Sequence, residues 1–237
     1  MYRISIIYRN EVEASFDWKY YMNNHLPLAI GTSRRHSEYN FCDADKPINA
    51  ASPFACICML HFDNEDSVND FCNFFVKQHP ESDKINNDEQ NYTNIAPNMI
   101  AATYESLASD DQSSDPQYRI KLLFPKTQEL ELSHEEISTE LTAILDTSDA
   151  KNVAIVASEV DFCTSGIVPG SEPDYSLIWV VCFNDKNNLE QFAATLSTSE
   201  NLQKLKAILH VEPEIMVSEV MSFDMKLAEP YRLLQKN

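Results

Sequence analysis

The chain has 237 residues, 43% of them hydrophobic and 23% charged, enough apolar material for one large domain or two smaller ones. Eighteen Lys and Arg face 37 Asp and Glu, a formal net charge of −19 that repels phosphate backbones and anionic lipid and argues against nucleic-acid and membrane partners. Three glycines leave no room for a Gly-rich phosphate loop, no apolar run reaches the ~18 residues of a membrane span, and the N-terminal run lacks a signal-peptide cleavage site, so the expected location is the cytoplasm.

In chain order, apolar periodicity predicts a strand at 2–8, a helix at 16–30, strands at about 34–42 and 54–62, a helix at 65–78 and a strand at 97–105. The stretch SLASDDQSSDPQ, 106–117, is polar and without apolar period, and reads as a linker. A second set follows: strand 118–124, helix 133–145, strands 151–160 and 175–183, helix 187–209 and strand 214–223. Three stretches recur. YRISIIY at 2–8 resembles YRIKLLF at 118–124, 54–75 aligns with 175–196, and 97–105 aligns with 213–223, at offsets of 116, 121 and 116.

Each half thus carries the order of a ferredoxin-like fold. Strand 54–62 is apolar on both faces and needs cover on both sides. Helices can cover one face, and the sheet of the other half can cover the second. The predicted fold class is α+β: tandem ferredoxin-like domains at 1–106 and 118–226, a linker at 107–117 and a tail at 227–237, with the antiparallel sheets packed into one intrachain α/β barrel. Such a pseudo-dimer can act as a monomer or enter a larger homo-oligomer.

The segment FDWKYYMNNHLPL at 16–28 holds the leading candidate residue. Asp17 can cap the helix, and Trp18, Tyr21, Met22, His25, Leu28 and Ala29 share one face, so His25 points toward the sheet. Pro27 removes a backbone donor and disfavours the helical conformation at Leu26. The helix should therefore loosen near His25 and open a pocket against the sheet. His25 can serve as acid/base, ligand anchor or haem ligand; the competing reading is a core-edge histidine bonded to a backbone carbonyl. Tyr8, Trp18 and Tyr21 are candidates to line the pocket, or are plain packing. Asn91, Tyr92 and Thr93 can close one end of it, or form a turn.

No metal site is expected. Cys56 and Cys58 share a strand face, but His61 has the opposite parity and reads as an ordinary strand residue. The acidic runs at 63–70, 82–90 and 109–115 lack a calcium loop and read as solvated surface. The six cysteines form no CxxC and read as reduced thiols.

The pattern F-D-W-x-Y-Y-x-x-x-H-x-P-L at 16–28, with NYTNIAP at 91–97, resembles the EthD family over about residues 1–106. That family belongs to the dimeric α/β-barrel superfamily, whose members mostly pair two single ferredoxin-like domains; here the second half resembles a diverged, fused copy. The family often has His two residues before the aromatic–Phe pair closing the third strand, where this chain has Met59. The superfamily includes cofactor-free oxygenases, muconolactone isomerases, haem-degrading enzymes and haem-dependent peroxidases. The resemblance implies a small-molecule binding protein or cofactor-independent enzyme for a small apolar or aromatic substrate, with haem as the alternative to no cofactor. A non-catalytic structural or interaction module is the competing function.

At the offset of 116, Phe16 meets Leu132, Tyr21 meets Ile137, His25 meets Leu141, Pro27 meets Ala143 and Leu28 meets Ile144; 91–93 meet Ala207, Ile208 and Leu209. A pocket is therefore expected in the first half only, beside a solidly packed second half.

Overall fold

The computed structural model describes residues 1–77, 79–109, 115–126, 132–147, 150–166 and 172–233. The first half supplies strands β1 (Tyr2–Arg9), β2 (Cys42–Pro47), β3 (Phe54–Phe62) and β4 (Asn98–Ser109), and the second β5 (Tyr118–Pro125), β6 (Ala157–Gly166), β7 (Tyr175–Phe183) and β8 (Glu214–Ser222). They form one closed barrel, in the order β1-β3-β2-β8-β5-β7-β6-β4. Every neighbouring pair is antiparallel, and the halves meet at two seams, β2 with β8 and β4 with β6. This is the predicted intrachain α/β barrel.

The halves match in register. Tyr2 pairs with Phe62 and Tyr118 with Phe183, and both ladders shift at the same place, between Tyr8 and Arg9 and between Phe124 and Pro125. Helices α1 (Trp18–Tyr20), α2 (Leu26–Ser33), α3 (Glu65–Val76) and α4 (Ser82–Asp88) belong to the first half; α5 (His134–Leu145), α6 (Lys186–Thr198) and α7 (Glu200–Leu209) belong to the second, and α8 (Glu229–Leu233) follows. Polar caps start them: Asp17 accepts from Lys19 and Tyr20, Asn64 from Ser67, Asp185 from Asn188, and Ser133 forms a capping box with Glu136.

Strand alternation sorts the core into three parts. Ile4, Cys58 and Leu60 pack against Tyr21 and Phe71 of the first half's helical layer, and Ile120, Trp179 and Val181 against Ile137 and Phe192 of the second's. Ile7, Ile57, Leu123, Ile178 and Met216 form a third cluster with the opposite strand parity, inside the barrel.

Charge fills the rest of the interior. Arg3 of β1 pairs with Asp161, at 2.6 Å, and Glu159 of β6, while Arg119 of β5 grips Asp43 of β2 through two bonds of 2.7 and 2.8 Å. Lys121 pairs with Asp45, which also accepts from Ser218 at 3.0 Å. Each arginine thus reaches the other half's second strand. Ala102 and Ser218 lie opposite Arg3 and Arg119 on the strand between, and their small side chains leave the room.

Several expected boundaries move. Residues 34–41 are not a strand; the second strand is Cys42–Pro47, whose inward Asp43 and Asp45 hide it from apolar periodicity. The strand expected at 151–160 lies at Ala157–Gly166. The helix expected at 187–209 breaks at Ser199, whose extended backbone ends α6 and whose side chain caps α7. β4 continues through Ser109, past the expected start of the linker, and residues 110–114 lie outside the described ones. Within the expected tail, α8 lies against α2 at Gly31, where a Cβ would meet Ala228 O at 2.4 Å and Tyr231 Cβ at 2.6 Å. Only glycine allows that approach.

Candidate active site

The loosening expected beside Pro27 takes the form of a π turn over Tyr21–His25, closed by the Leu26 N–H bonding back to Tyr21 O. Leu26 itself stays helical, at φ −58° and ψ −46°, so the proline acts through its missing donor rather than by expelling its neighbour from the helix. π turns inside helices recur at functional sites. Here the turn buries both Tyr21 and His25, with their rings stacked 5.5 Å apart.

His25 is 4% exposed and bonds to side chains, not to a backbone carbonyl. Its Nδ1 lies 3.0 Å from Asp88 Oδ2 at the end of α4, and its Nε2 lies 3.3 Å from the Tyr92 hydroxyl, which is 2.8 Å from the Tyr8 hydroxyl. Asp88 Oδ1 accepts from the Tyr20 hydroxyl at 2.8 Å and from Asn91 Nδ2 at 2.9 Å. One arrangement of protons satisfies the whole chain: Tyr8 donates to Tyr92, Tyr92 donates to Nε2, and Nδ1–H donates to Asp88. The outer oxygen, on Tyr8, then keeps its lone pairs.

Burial pushes the His25 pKa below its ordinary value, against the opposing pull of Asp88. Burial would raise the Asp88 carboxyl, but hydrogen bonds from Asn91, Tyr20 and His25 outweigh it and hold that group below its usual range. The pair is thus a neutral imidazole on a carboxylate, a hydrogen bond rather than an ion pair. Burial keeps the Tyr8 and Tyr92 phenols protonated. Next in the chain, Glu89 is pushed up to about 7 by burial and by the Asp88 charge.

A cavity of about 40 Å³ opens between this helix and the sheet, lined by Tyr8, Tyr21, His25, Cys58 and Glu89 and otherwise mostly by apolar side chains such as Leu60. That is room for about three waters or the reactive end of a small molecule. Haem does not fit it with His25 as ligand: a porphyrin is many times larger, and both imidazole nitrogens are engaged.

The candidate residues therefore divide. His25, Tyr8 and Tyr21 line the cavity, and Tyr92 joins through its hydroxyl. Asn91 contributes by bonding Asp88. Trp18 packs on Phe16 at 5.1 Å and does not line the cavity, and Thr93 makes an isolated bridge with Phe16 and a turn bond to the Ile95 N–H. Sequence reasoning missed Tyr20, Asp88 and Glu89, the last two hidden in a run read as solvated surface. The one available signal was the spacing of Asp88 and Asn91, a single helical turn apart, next to Tyr92.

The expectation of a pocket in the first half only is corrected. The space beneath the first helix of the second half is filled by Ile137, Leu141 and Ile144, all fully buried. Further along, however, a cavity of about 240 Å³ opens among Leu196, Leu202, Lys206, Pro213, Ile215 and Val217. It lies in the layer between α6, α7 and β8.

His61 is 5% exposed and inward-facing, stacked on Phe41 at 3.7 Å; burial and the nearby Arg3 push its pKa down to about 3. All six cysteines are free. Among the described residues, no helix is long and apolar enough to cross a membrane.

Comparison of the sequence with protein-family models and with curated proteins gave no match. Among solved structures, a mutant chlorite dismutase from Candidatus Nitrospira defluvii is similar, with a TM-score of 0.52 at 8% identity over 98% of this chain and 95% of that one. A cyanide complex of another mutant of that protein gives 0.52 at 9% identity, over 98% and 94%. An anthrone oxidase-like protein gives 0.53 at 10% identity, over 93% and 92%. Likeness at such identity establishes the dimeric α/β-barrel fold and nothing about chemistry.

Proposed function

We propose that the first half binds a small apolar or aromatic molecule carrying one acidic hydrogen, and that the chain Asp88–His25–Tyr92–Tyr8 moves that proton without a cofactor. The observation that supports this is a neutral, buried imidazole held between a carboxylate and a phenol at a cavity wall. Asp88 orients His25 and stabilises its cation when it forms. A substrate hydrogen facing the Tyr8 oxygen can pass inward, phenol to phenol to Nε2. Glu89, titrating near neutrality, can return a proton on the cavity side.

The reading is EthD-like, with the second half as a diverged copy; the motif at 16–28 and the shared strand register support it. One chain closes its own barrel, which supports a monomer, and six free thiols support a reducing compartment such as the cytoplasm. The small cavity favours the second reading, a non-catalytic module. A thermal-shift screen of small phenols and carbon acids separates the two. Compounds that stabilise the protein but not its His25→Leu variant support the proposal. No stabiliser, or stabilisers indifferent to that substitution, would sink it.

A further inference from the structure

We infer that His36, His79 and Glu81 form a binding site for a divalent transition metal, zinc being the ion their chemistry suits best. One candidate ligand atom from each lies within 4.8 Å of the other two. His36 comes from the turn after α2, and His79 and Glu81 from the connection between α3 and α4, so folding alone brings them together. His36 Nε2 is 2.9 Å from Glu81 Oε2. Two ligands on a tetrahedral zinc, each ~2.0–2.1 Å from the metal, stand roughly 3.3 Å apart, so a small side-chain shift converts this bond into a chelate.

The surroundings are built for it. Arg35 holds the other carboxylate oxygen, Oε1, at 2.7 Å and is itself anchored on the Tyr231 carbonyl at 2.6 Å. A ligating carboxylate is normally fixed by such an outer partner. Phe74, buried beneath, stacks on the His36 ring at 4.7 Å and tilts against His79 at 5.4 Å. Glu81 is buried while both imidazoles are half-buried, which leaves an entry path and an open position for water. If His79 binds through Nδ1, it gives up the weak bond that atom accepts from the Glu81 N–H, 3.3 Å. Two histidines and one carboxylate with an open position are a ligand set that zinc and other late divalent ions accept. The ion would tie the turn after α2 to the residue that precedes α4.

The test uses the full chain, stripped with a chelator and titrated with Zn²⁺ by calorimetry and with Co²⁺ by visible absorption. The expected result is one equivalent bound, with the intense d–d band of four-coordinate Co²⁺, and affinity at least about tenfold lower in His79→Ala and in His36→Gln. His134→Ala, on α5 and outside the cluster, keeps wild-type binding. Absence of the band, or binding unchanged in both His79→Ala and His36→Gln, overturns the site.

Discussion

Two halves with one strand register treat the space beneath their first helix in opposite ways. In the first, Tyr8, His25 and Cys58 border a cavity; in the second, the matching positions hold Phe124, Leu141 and Trp179, all fully buried. The phenol loses its hydroxyl, the imidazole becomes aliphatic, and the small thiol becomes an indole that fills the gap. At the same offset Asp88 meets the exposed Lys204, so the carboxylate that orients the imidazole is gone as well. Beneath the first helix, polar groups and empty space come and go together: a buried hydrogen-bonded chain needs partners for each member, and a packed core needs none.

The sharpest break of that comparison is Trp179→Ala, expected to cost about 3–5 kcal/mol in denaturant unfolding, because the indole is fully buried and bonds Ser158 at 2.9 Å. Its counterpart, Cys58→Ala, borders open space and should cost about 1 kcal/mol or less. Equal costs would mean that the two layers are packed alike. Arg119→Met, which strands Asp43 without its cation while Lys121 still holds Asp45, is expected to cost roughly 3 kcal/mol. Leu141→His should lose about 2 kcal/mol, since its buried imidazole finds no carboxylate, whereas His25→Leu should lose less than that. A Leu141→His variant as stable as wild type would show that the relay's partners do not matter.

The smallest effect concerns pH. Glu89 has a folded pKa of about 7, above its ordinary 4.5, so the folded state favours its protonated form. Its contribution is fully present below about pH 4.5 and is lost as pH rises through about 7. Glu89→Gln should therefore flatten the fall in stability between those values, read from denaturant midpoints at pH 5 and pH 8. An unchanged slope would mean that Glu89 is solvated like an ordinary surface carboxylate.

Fold and site were legible to different depths. The barrel could be read because the central strands, 54–62 and 175–183, are apolar on both faces and recur with their neighbours at near-constant offsets. The inward face of the first helix followed from its 3.6-residue period, and the loosened turn from Pro27. β2 was misplaced because its buried side chains include Asp43 and Asp45, whose cationic partners come from the other half of the chain. Asp88 was lost for a related reason: a carboxylate beside Asn and Glu looks like surface until folding sets it against His25, 63 residues away.

The arginines that cross the seams carry one more consequence. Strand pairing makes Asp43 the counterpart of Glu159, each opposite matching positions Met59 and Val180, and Asp45 the counterpart of Asp161, opposite Ile57 and Ile178. The first half therefore owns both sides of its own lock: Arg3 as the key it lends across one seam, Asp43 and Asp45 as the keyhole it offers at the other. Expressed alone, it should meet a second copy of itself and close a two-chain barrel, a transition that sedimentation would register as a dimer. The covalent link between the halves then fixes which partner each one takes, so that one side of the ring can carry a polar hydrogen-bonded chain beneath its first helix while the other is packed there.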